Sequence, residues 1–264
     1  MGQVIVITSG KGGVGKTTTT ANISTGLASK GKNVVMIDAD IGLRNLDVVM
    51  GLENRIVYDI VDVVEGKCRV KQALIKDKRY PDLYLLAAAQ TKDKSAVNPE
   101  QMVKLCSQLV DEHDFVIIDC PAGIEQGFKN AIAGAHRAIV VANPEVSSVR
   151  DADRIVGLLQ NAEIGEIQLV LNRLRPELTE KGDMLSLDDV VEILAIDVLG
   201  VVPDDETIII TANKGDTAVA ETSSRAGAAY RNIVERILNP SVAIAEIEVK
   251  SGFMSKLKKI FGRK

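Results

Sequence analysis

The chain has 264 residues, 46% of them apolar and 26% charged, with 32 basic against 36 acidic side chains and a formal charge of −4. That length buries a substantial core, and the composition excludes collagen-like, coiled-coil and wholly disordered chains. Mild acidity argues against a general nucleic-acid coat, and no apolar run approaches the ~20 residues that span a bilayer. The N-terminus opens directly on an apolar strand pattern, so no signal peptide is expected. Cys68, Cys106 and Cys120 form no C-x-x-C pair, which fits a reducing compartment and offers no disulfide or zinc framework.

In chain order, strands are expected at 3–8, 33–38, 83–88, 115–119, 138–142, 168–172 and 198–202. Helices are expected at 15–30, 99–112, 148–161, 186–194 and 222–238. Most strands are apolar on both faces, as in a parallel sheet covered on both sides. The repeated strand-then-helix spacing implies right-handed crossovers and a doubly wound, mostly parallel α/β fold, a Rossmann-like three-layer sandwich. Residues 1–238 read as one domain. Asn239–Pro240 breaks the last helix, 239–250 reads as a linker, and 251–264 forms a basic, apolar-studded tail.

The first strand runs into Gly10-Lys11-Gly12-Gly13-Val14-Gly15-Lys16-Thr17, which satisfies G-x-x-x-x-G-K-[ST], and a helix follows. Glycines let successive N–H groups turn inward around phosphate oxygens, and the helix adds its positive end. Lys16 suits the β and γ phosphates, and the Thr17 hydroxyl suits magnesium. A plain phosphate loop does not require Lys11. The second strand ends in Asp38-Ala39-Asp40, at the sheet edge where open α/β folds bind ligands. A bend at Ala39 would let both carboxylates approach one site, one ordering magnesium waters and the other orienting attacking water; an N-cap or Asx turn is the structural alternative. Val116–Asp119 is an apolar strand ending in one aspartate, the Walker B pattern, and it leads to Gly123, whose N–H could sense the γ-phosphate.

Lys11-Gly12-Gly13-Val14-Gly15-Lys16-Thr17-Thr18 resembles the deviant Walker A motif of the MinD/ParA family of P-loop ATPases. Asp38–Asp47 and Asp119–Gly123 are similar to that family's two switches, and 72–79, 144–153 and 182–186 extend the resemblance over essentially the whole chain. The resemblance implies a membrane-associated ATPase that positions bacterial division. It implies that Lys11 reaches across an ATP-dependent homodimer to the partner's phosphates and that Asp40 is the hydrolytic aspartate. Lys16, Thr17, Asp38 and Asp119 would serve phosphate and magnesium, and Asn45 would lie at the dimer interface beside the Gly123 switch. Ser148, Asp151 and Asp153 would fall in the helix that meets partner proteins, with MinC and with MinE or a substitute topological factor as the expected partners.

Asn213-Lys214-Gly215-Asp216 satisfies the N-K-x-D guanine signature, yet reads as a chance turn. The family reads adenine with an Asn after a strand and a later Pro-x-Asp stretch, which places Asn172, Pro203 and Asp205 at the base and predicts ATP with Mg2+.

At 100° per residue, Phe253, Met254, Leu257, Ile260 and Phe261 fall within an arc of about 120°, opposite Ser255, Lys256, Lys258, Lys259 and Arg263. A basic amphipathic helix of this kind reads as an interfacial anchor on an anionic surface, hence a cytoplasmic protein bound peripherally to the inner membrane. The tail holds five basic and no acidic residues, so 27 basic and 36 acidic side chains leave −9 on residues 1–250. Competing readings are a flagellar-number regulator of the FlhG type, which usually carries an extra N-terminal segment, and a ParA-type DNA-partitioning ATPase, which needs a basic DNA-binding face. No specific nucleic acid is expected. His113 and His136 are isolated, and Cys120 lacks a second cysteine in a matching switch for an iron–sulfur role.

Overall fold

The computed structural model describes residues 2–245. The tail with Phe253, Met254, Lys256, Leu257, Lys258, Lys259, Ile260 and Phe261 lies outside the described residues. The elements are, in order, β1 (Gln3–Thr8), α1 (Lys16–Ser29), β2 (Val34–Asp38), α2 (Leu46–Val49), α3 (Ile60–Val64), α4 (Val70–Ala73), β3 (Ile75–Lys76), β4 (Leu83–Leu86) and α5 (Pro99–Val110). They continue with β5 (Phe115–Asp119), α6 (Gln126–Ile132), β6 (Arg137–Ala142), α7 (Val146–Asn161), β7 (Glu166–Leu174), α8 (Pro176–Thr179), α9 (Leu187–Leu194), β8 (Asp197–Pro203), α10 (Thr207–Ala212) and α11 (Arg225–Leu238).

Eight strands form one sheet in the order β3-β4-β2-β5-β1-β6-β7-β8. Neighbours are parallel except β3 with β4. From β1 the chain winds outward to β2 and β4, returns to β1's flank at β5, and then winds the other way through β6, β7 and β8. This reversal opens a crevice at the carboxyl ends of the central strands. Its register sets Asp38 of β2 directly opposite Asp119 of β5.

Alternation along each strand feeds two cores. Ile5 and Ile7 face the layer of α1 and α11. Val4 and Val6 face the layer built on α5, α6, α7 and α9. Both faces are therefore covered, which is why the strands read as near-continuous apolar runs.

The first helix is polar in sequence yet deeply buried, with Thr19, Thr20, Asn22, Ser24 and Thr25 enclosed. Specific bonds offset part of that burial. Thr19 and the fully buried Tyr230 share a hydroxyl bond of 3.0 Å. The Asn22 amide donates to the Thr18 carbonyl at 2.8 Å, and its oxygen accepts the Val219 N–H at 2.8 Å. Gly26 lets α1 approach α11: a Cβ there would sit 2.6 Å from Val234 Cγ2.

Helix starts follow their caps. Asn98 and Gln101 form a capping box with Pro99 in the first turn of α5, and Ser186 and Asp189 do the same for α9. The last helix starts at Arg225 instead of the expected 222, because Ser224 is its N-cap and accepts the Gly227 N–H at 2.9 Å. Sequence periodicity also passed over α2, α3, α4, α6, α8, α10 and the two-residue antiparallel strand β3, all too short to show a period. Residues 239–245 are tied down: the Asn232 side chain donates to Ala243 O and accepts the Ala245 N–H, each at 3.0 Å. Arg236 donates to the carbonyls of Val198, Leu199 and Val242. Among the described residues no helix is long and apolar enough to cross a membrane.

Gly26→Leu is expected to destabilise the chain by about 1–3 kcal/mol, because a close helix contact would be overpacked. Urea unfolding followed by circular dichroism checks this, and an unchanged midpoint contradicts it.

Candidate active site

The loop after β1 turns tightly because two glycines permit it. Gly15 precedes α1 at φ 105°, and a Cβ there would meet Asn172 Nδ2 at 2.4 Å. A Cβ at Gly10 would lie 2.2 Å from the Asp151 carbonyl oxygen, so α7 rests directly on the first turn of the loop. Gly12 and Gly13 are exposed and Val14 is buried, its carbonyl accepting the Asn172 side-chain amide at 2.7 Å.

The two loop lysines part company. Lys16, at the first position of α1, is buried and donates to Ser9 Oγ at 3.1 Å. Ser9 in turn donates to the Lys11 carbonyl at 2.8 Å. The Lys11 side chain is exposed and leaves the loop for the start of α7, reaching Ser147 Oγ at 3.2 Å and the Glu145 carboxylate at 3.6 Å. Thr17 donates to Asp119 Oδ2 at 2.6 Å, and Thr20, one turn further, donates to Oδ1 at 3.3 Å.

Asp38 and Asp119 lie side by side beneath this loop, each almost wholly buried. Asp38 accepts the Asp40 N–H on Oδ1 at 2.9 Å, and the Asn45 and Leu46 N–H groups on Oδ2 at 3.1 Å each. It therefore closes the loop 39–46 as an Asx-type cap, while Asp40 stands half-buried at the bend. Burial pushes the Asp38 carboxyl up to about 6 against those N–H groups, with the Asp40 charge adding to the rise. Burial, then the neighbouring Asp38 charge, pushes Asp119 up to about 7 despite Thr17 and Lys16. Two enclosed carboxylates of like charge favour a cation. Among the described residues no cluster of three or more His, Cys, Asp or Glu side chains could hold a metal alone. The donor set, Thr17 hydroxyl plus aspartate, fits Mg2+, which takes few protein ligands and completes its shell with phosphate oxygens and water.

Around this centre, Asn45 is exposed at the start of α2, and Gly123 is half-buried at φ 95° in the loop after β5. In α7, Asp151 is half-buried and Asp153 exposed. Ser148 corrects the expectation of a partner-facing side chain: it is buried, and its hydroxyl accepts the Asn143 N–H at 3.0 Å, shaping the turn into the helix. A cleft of about 910 Å³ runs from Gly15 and Thr18 to the ends of β7 and β8, lined by Asn172, Pro203 and Asp205. Asp205 has a structural duty within it. Its carboxylate accepts N–H groups of Thr207 at 3.0 Å and Ala226 at 2.9 Å and the Ser224 hydroxyl at 2.9 Å. Burial would raise this carboxyl, but those donors outweigh it and bring it down to about 2. The Asn213–Asp216 turn is engaged elsewhere: Asp216 pairs with Arg79 at 3.0 Å, and Gly215 packs on Gly51. Cys120 is buried with its thiol pushed up to about 12, a protonated core group.

Sequence reading assigned no role to Ser9 and Thr20, single polar residues with no motif of their own, nor to Glu145 and Ser147 within the 144–153 stretch. It also missed Arg173, Arg175 and Arg225, which line the cleft.

Residues 5–218 match the family described as the CobQ/CobB/MinD/ParA nucleotide binding domain. The chain belongs to the MinD/ParA family. It is 58% identical over 265 residues, 99% of each chain, to the septum site-determining protein MinD of Bacillus subtilis. Among solved structures it resembles the MinC:MinD cell division protein complex of Aquifex aeolicus, with TM-score 0.87 and 44% identity over 93% of this chain and 100% of the other. It also resembles the Mg-ADP complex of MinD from Pyrococcus horikoshii, with TM-score 0.83 and 28% identity over 94% of this chain and 100% of that one. A MinD/ParA nucleotide-binding ATPase of the septum-site-determining kind thus has its phosphate loop, aspartates and cleft at one sheet edge.

The carboxyl pair makes the nucleotide-free MinD/ParA chain sensitive to pH. Its raised folded pKa values retain a proton that the unfolded chain has lost, so the pair's contribution is full below about pH 4 and is lost as pH rises through 6 to 7. The melting temperature without nucleotide is expected to fall between pH 5 and 7.5, and to fall less in Asp38→Asn. Parallel melting curves for the two chains contradict this.

Proposed function

We propose that the chain is an ATP-driven determinant of division-septum position that acts as a dimer on the inner membrane. The divergence of the two loop lysines carries this reading. Lys16 is buried under its own loop and serves its own phosphates. Lys11 stands outside that loop on a salt bridge to Glu145 that is 44% and 54% exposed, a pairing weak enough to exchange for a partner's phosphates. The loops of the site carry exposed apolar side chains: Leu43 in the 39–46 loop, Ile124 beside Gly123 and Val146 beside Ser147 are 65%, 41% and 67% exposed. Side chains of this kind around a charged site suit burial against a second copy.

Within the dimer, the loop N–H groups and Lys16 hold the β and γ phosphates, and Thr17 and Asp119 hold Mg2+ with Asp38 beside them. A magnesium ion held there would supply positive charge for the transferring phosphoryl group. Asp40, at the bend tied to Asp38, orients the attacking water. Asn45 and Gly123 sit in the two loops that respond to the γ-phosphate. Asn172, Pro203 and Asp205 frame the adenine, with Asp205 acting through the cleft wall that it pins.

Residues 1–238 act as the ATPase domain and 239–250 as the connection to the membrane tail. One tail binds weakly, since ordering it offsets much of the gain from apolar burial and lipid charge. Two tails on one dimer bind more tightly by ~10²–10⁴ through effective concentration. A MinC-like division inhibitor docks on the dimer, as the Aquifex aeolicus complex suggests. A MinE-like or other topological factor stimulates hydrolysis, which separates the dimer and releases it to the cytoplasm.

Sedimentation and vesicle binding, measured with turnover on phosphatidylglycerol-containing vesicles, test the reading. Lys11→Ala is expected to stay monomeric with ATP and lose vesicle binding. Asp40→Ala is expected to dimerise, stay bound, and turn over ~10²-fold or more slowly. Equal vesicle binding with ADP and ATP rejects the switch.

A further inference from the structure

A second cleft, of about 500 Å³, opens between α8, the start of α9 and the edge strand β8. Leu174, Pro176, Leu187 and Val201 line it, with Thr179 and Glu180 at its mouth. Its remaining wall is Ile244 and Ala245, where the described chain ends. The exit is held in place: the Asn232 side chain clamps Ala243 and Ala245, and Arg236 ties Val242 to β8. The chain beyond Ala245 therefore starts from the cleft itself.

The cleft and the C-terminal segment are complementary. Residues 176–197 hold seven acidic side chains and one basic one. Glu177, Glu180, Asp188, Asp189 and Glu192 are exposed on or next to α8 and α9. Residues 251–264 hold five basic side chains, no acidic ones, and the apolar set Phe253, Met254, Leu257, Ile260 and Phe261. Eight Cα–Cα steps lead from Ala245 to Phe253, a reach of about 26–29 Å at full extension, against about 13 Å for nine helical residues. An apolar cleft with Glu180 in its wall, beside the acidic surface of α8 and α9, stands within easy reach of an apolar stripe with basic flanks.

We propose that in the resting, membrane-free chain the 251–264 tail docks into this cleft, apolar side chains inward and lysines against the α8–α9 carboxylates. Docking masks the surface that would otherwise meet lipid, so an anionic membrane competes with the protein's own cleft for one segment. A docked fraction of ~90% would weaken apparent membrane affinity ~10-fold. The masking role rests on the membrane-tail reading above; the docking itself does not.

The chain has no tryptophan. Phe253→Trp in the full-length protein is thus a sole reporter of the tail. Without nucleotide or vesicles, its emission is expected to be blue-shifted and shielded from acrylamide, independent of protein concentration. Adding Glu177→Lys, Glu180→Lys and Glu192→Lys, all at exposed positions, is expected to shift it to a water-like spectrum and to strengthen nucleotide-free binding to phosphatidylglycerol vesicles ~10-fold. A water-exposed tryptophan in the parent overturns docking. Shielding that persists in the reversal variant places the tail elsewhere and overturns this site, and shielding that grows with concentration assigns the tail to a second copy. If vesicles with Mg-ATP bind neither chain, the membrane reading fails while a shielded, charge-sensitive tryptophan still supports the docked tail.

Discussion

Two carboxylates of like charge are held side by side inside the protein, and the rest of the nucleotide site is arranged around that constraint. The parallel register of β2 and β5 puts Asp38 and Asp119 level at the crevice. Burial penalises their charge, and removing water leaves only nearby donors to offset it. Thr17 and Thr20 from the first turns of α1 satisfy Asp119, and the N–H groups of Asp40, Asn45 and Leu46 satisfy Asp38. Lys16 brings a buried positive charge close by. A divalent cation would complete this balance at the aspartates that hold the adjoining loops.

Asp38 ties down the 39–46 loop, on which Asp40 and the exposed Leu43 lie. On the opposite side, α7 rests on the phosphate loop through the Gly10–Asp151 contact and presents Glu145 and Ser147 to Lys11. The two sides of the site carry exposed apolar side chains, Leu43 on the 39–46 loop and Val146 at the start of α7.

Much of this was legible in the sequence, for reasons that differ by residue. The seven strands announce themselves as near-continuous apolar runs, and the five longer helices as the stretches between them, with side-chain caps marking the starts of α5, α9 and α11. The phosphate loop is legible because its glycines, lysine and threonine occur in a fixed order imposed by the phosphate. Short elements such as α2, α8 and β3 were not, since two to four residues carry no period. Nor was the use made of individual polar groups. Ser148 looks like a surface residue of an amphipathic helix and is buried on Asn143. Asp38 caps a loop, the structural alternative weighed for it, and also stands level with the Walker B aspartate. The Asn213–Asp216 motif matches a guanine signature letter by letter, yet its aspartate is engaged by Arg79, a contact 137 positions away that no local pattern reveals.

Burial of two like charges makes the Asp38–Asp119 pair a destabilising cluster that magnesium and nucleotide would relieve. Melting of the native chain and of Asp119→Asn, each alone, with ATP and a chelator, and with Mg-ATP, tests this. Asp119→Asn is expected to melt above the native chain when both are free of nucleotide. Mg-ATP is expected to stabilise the native chain well beyond ATP alone, an increment that disappears in the variant. A variant that melts lower without nucleotide, or keeps the full magnesium increment, contradicts it.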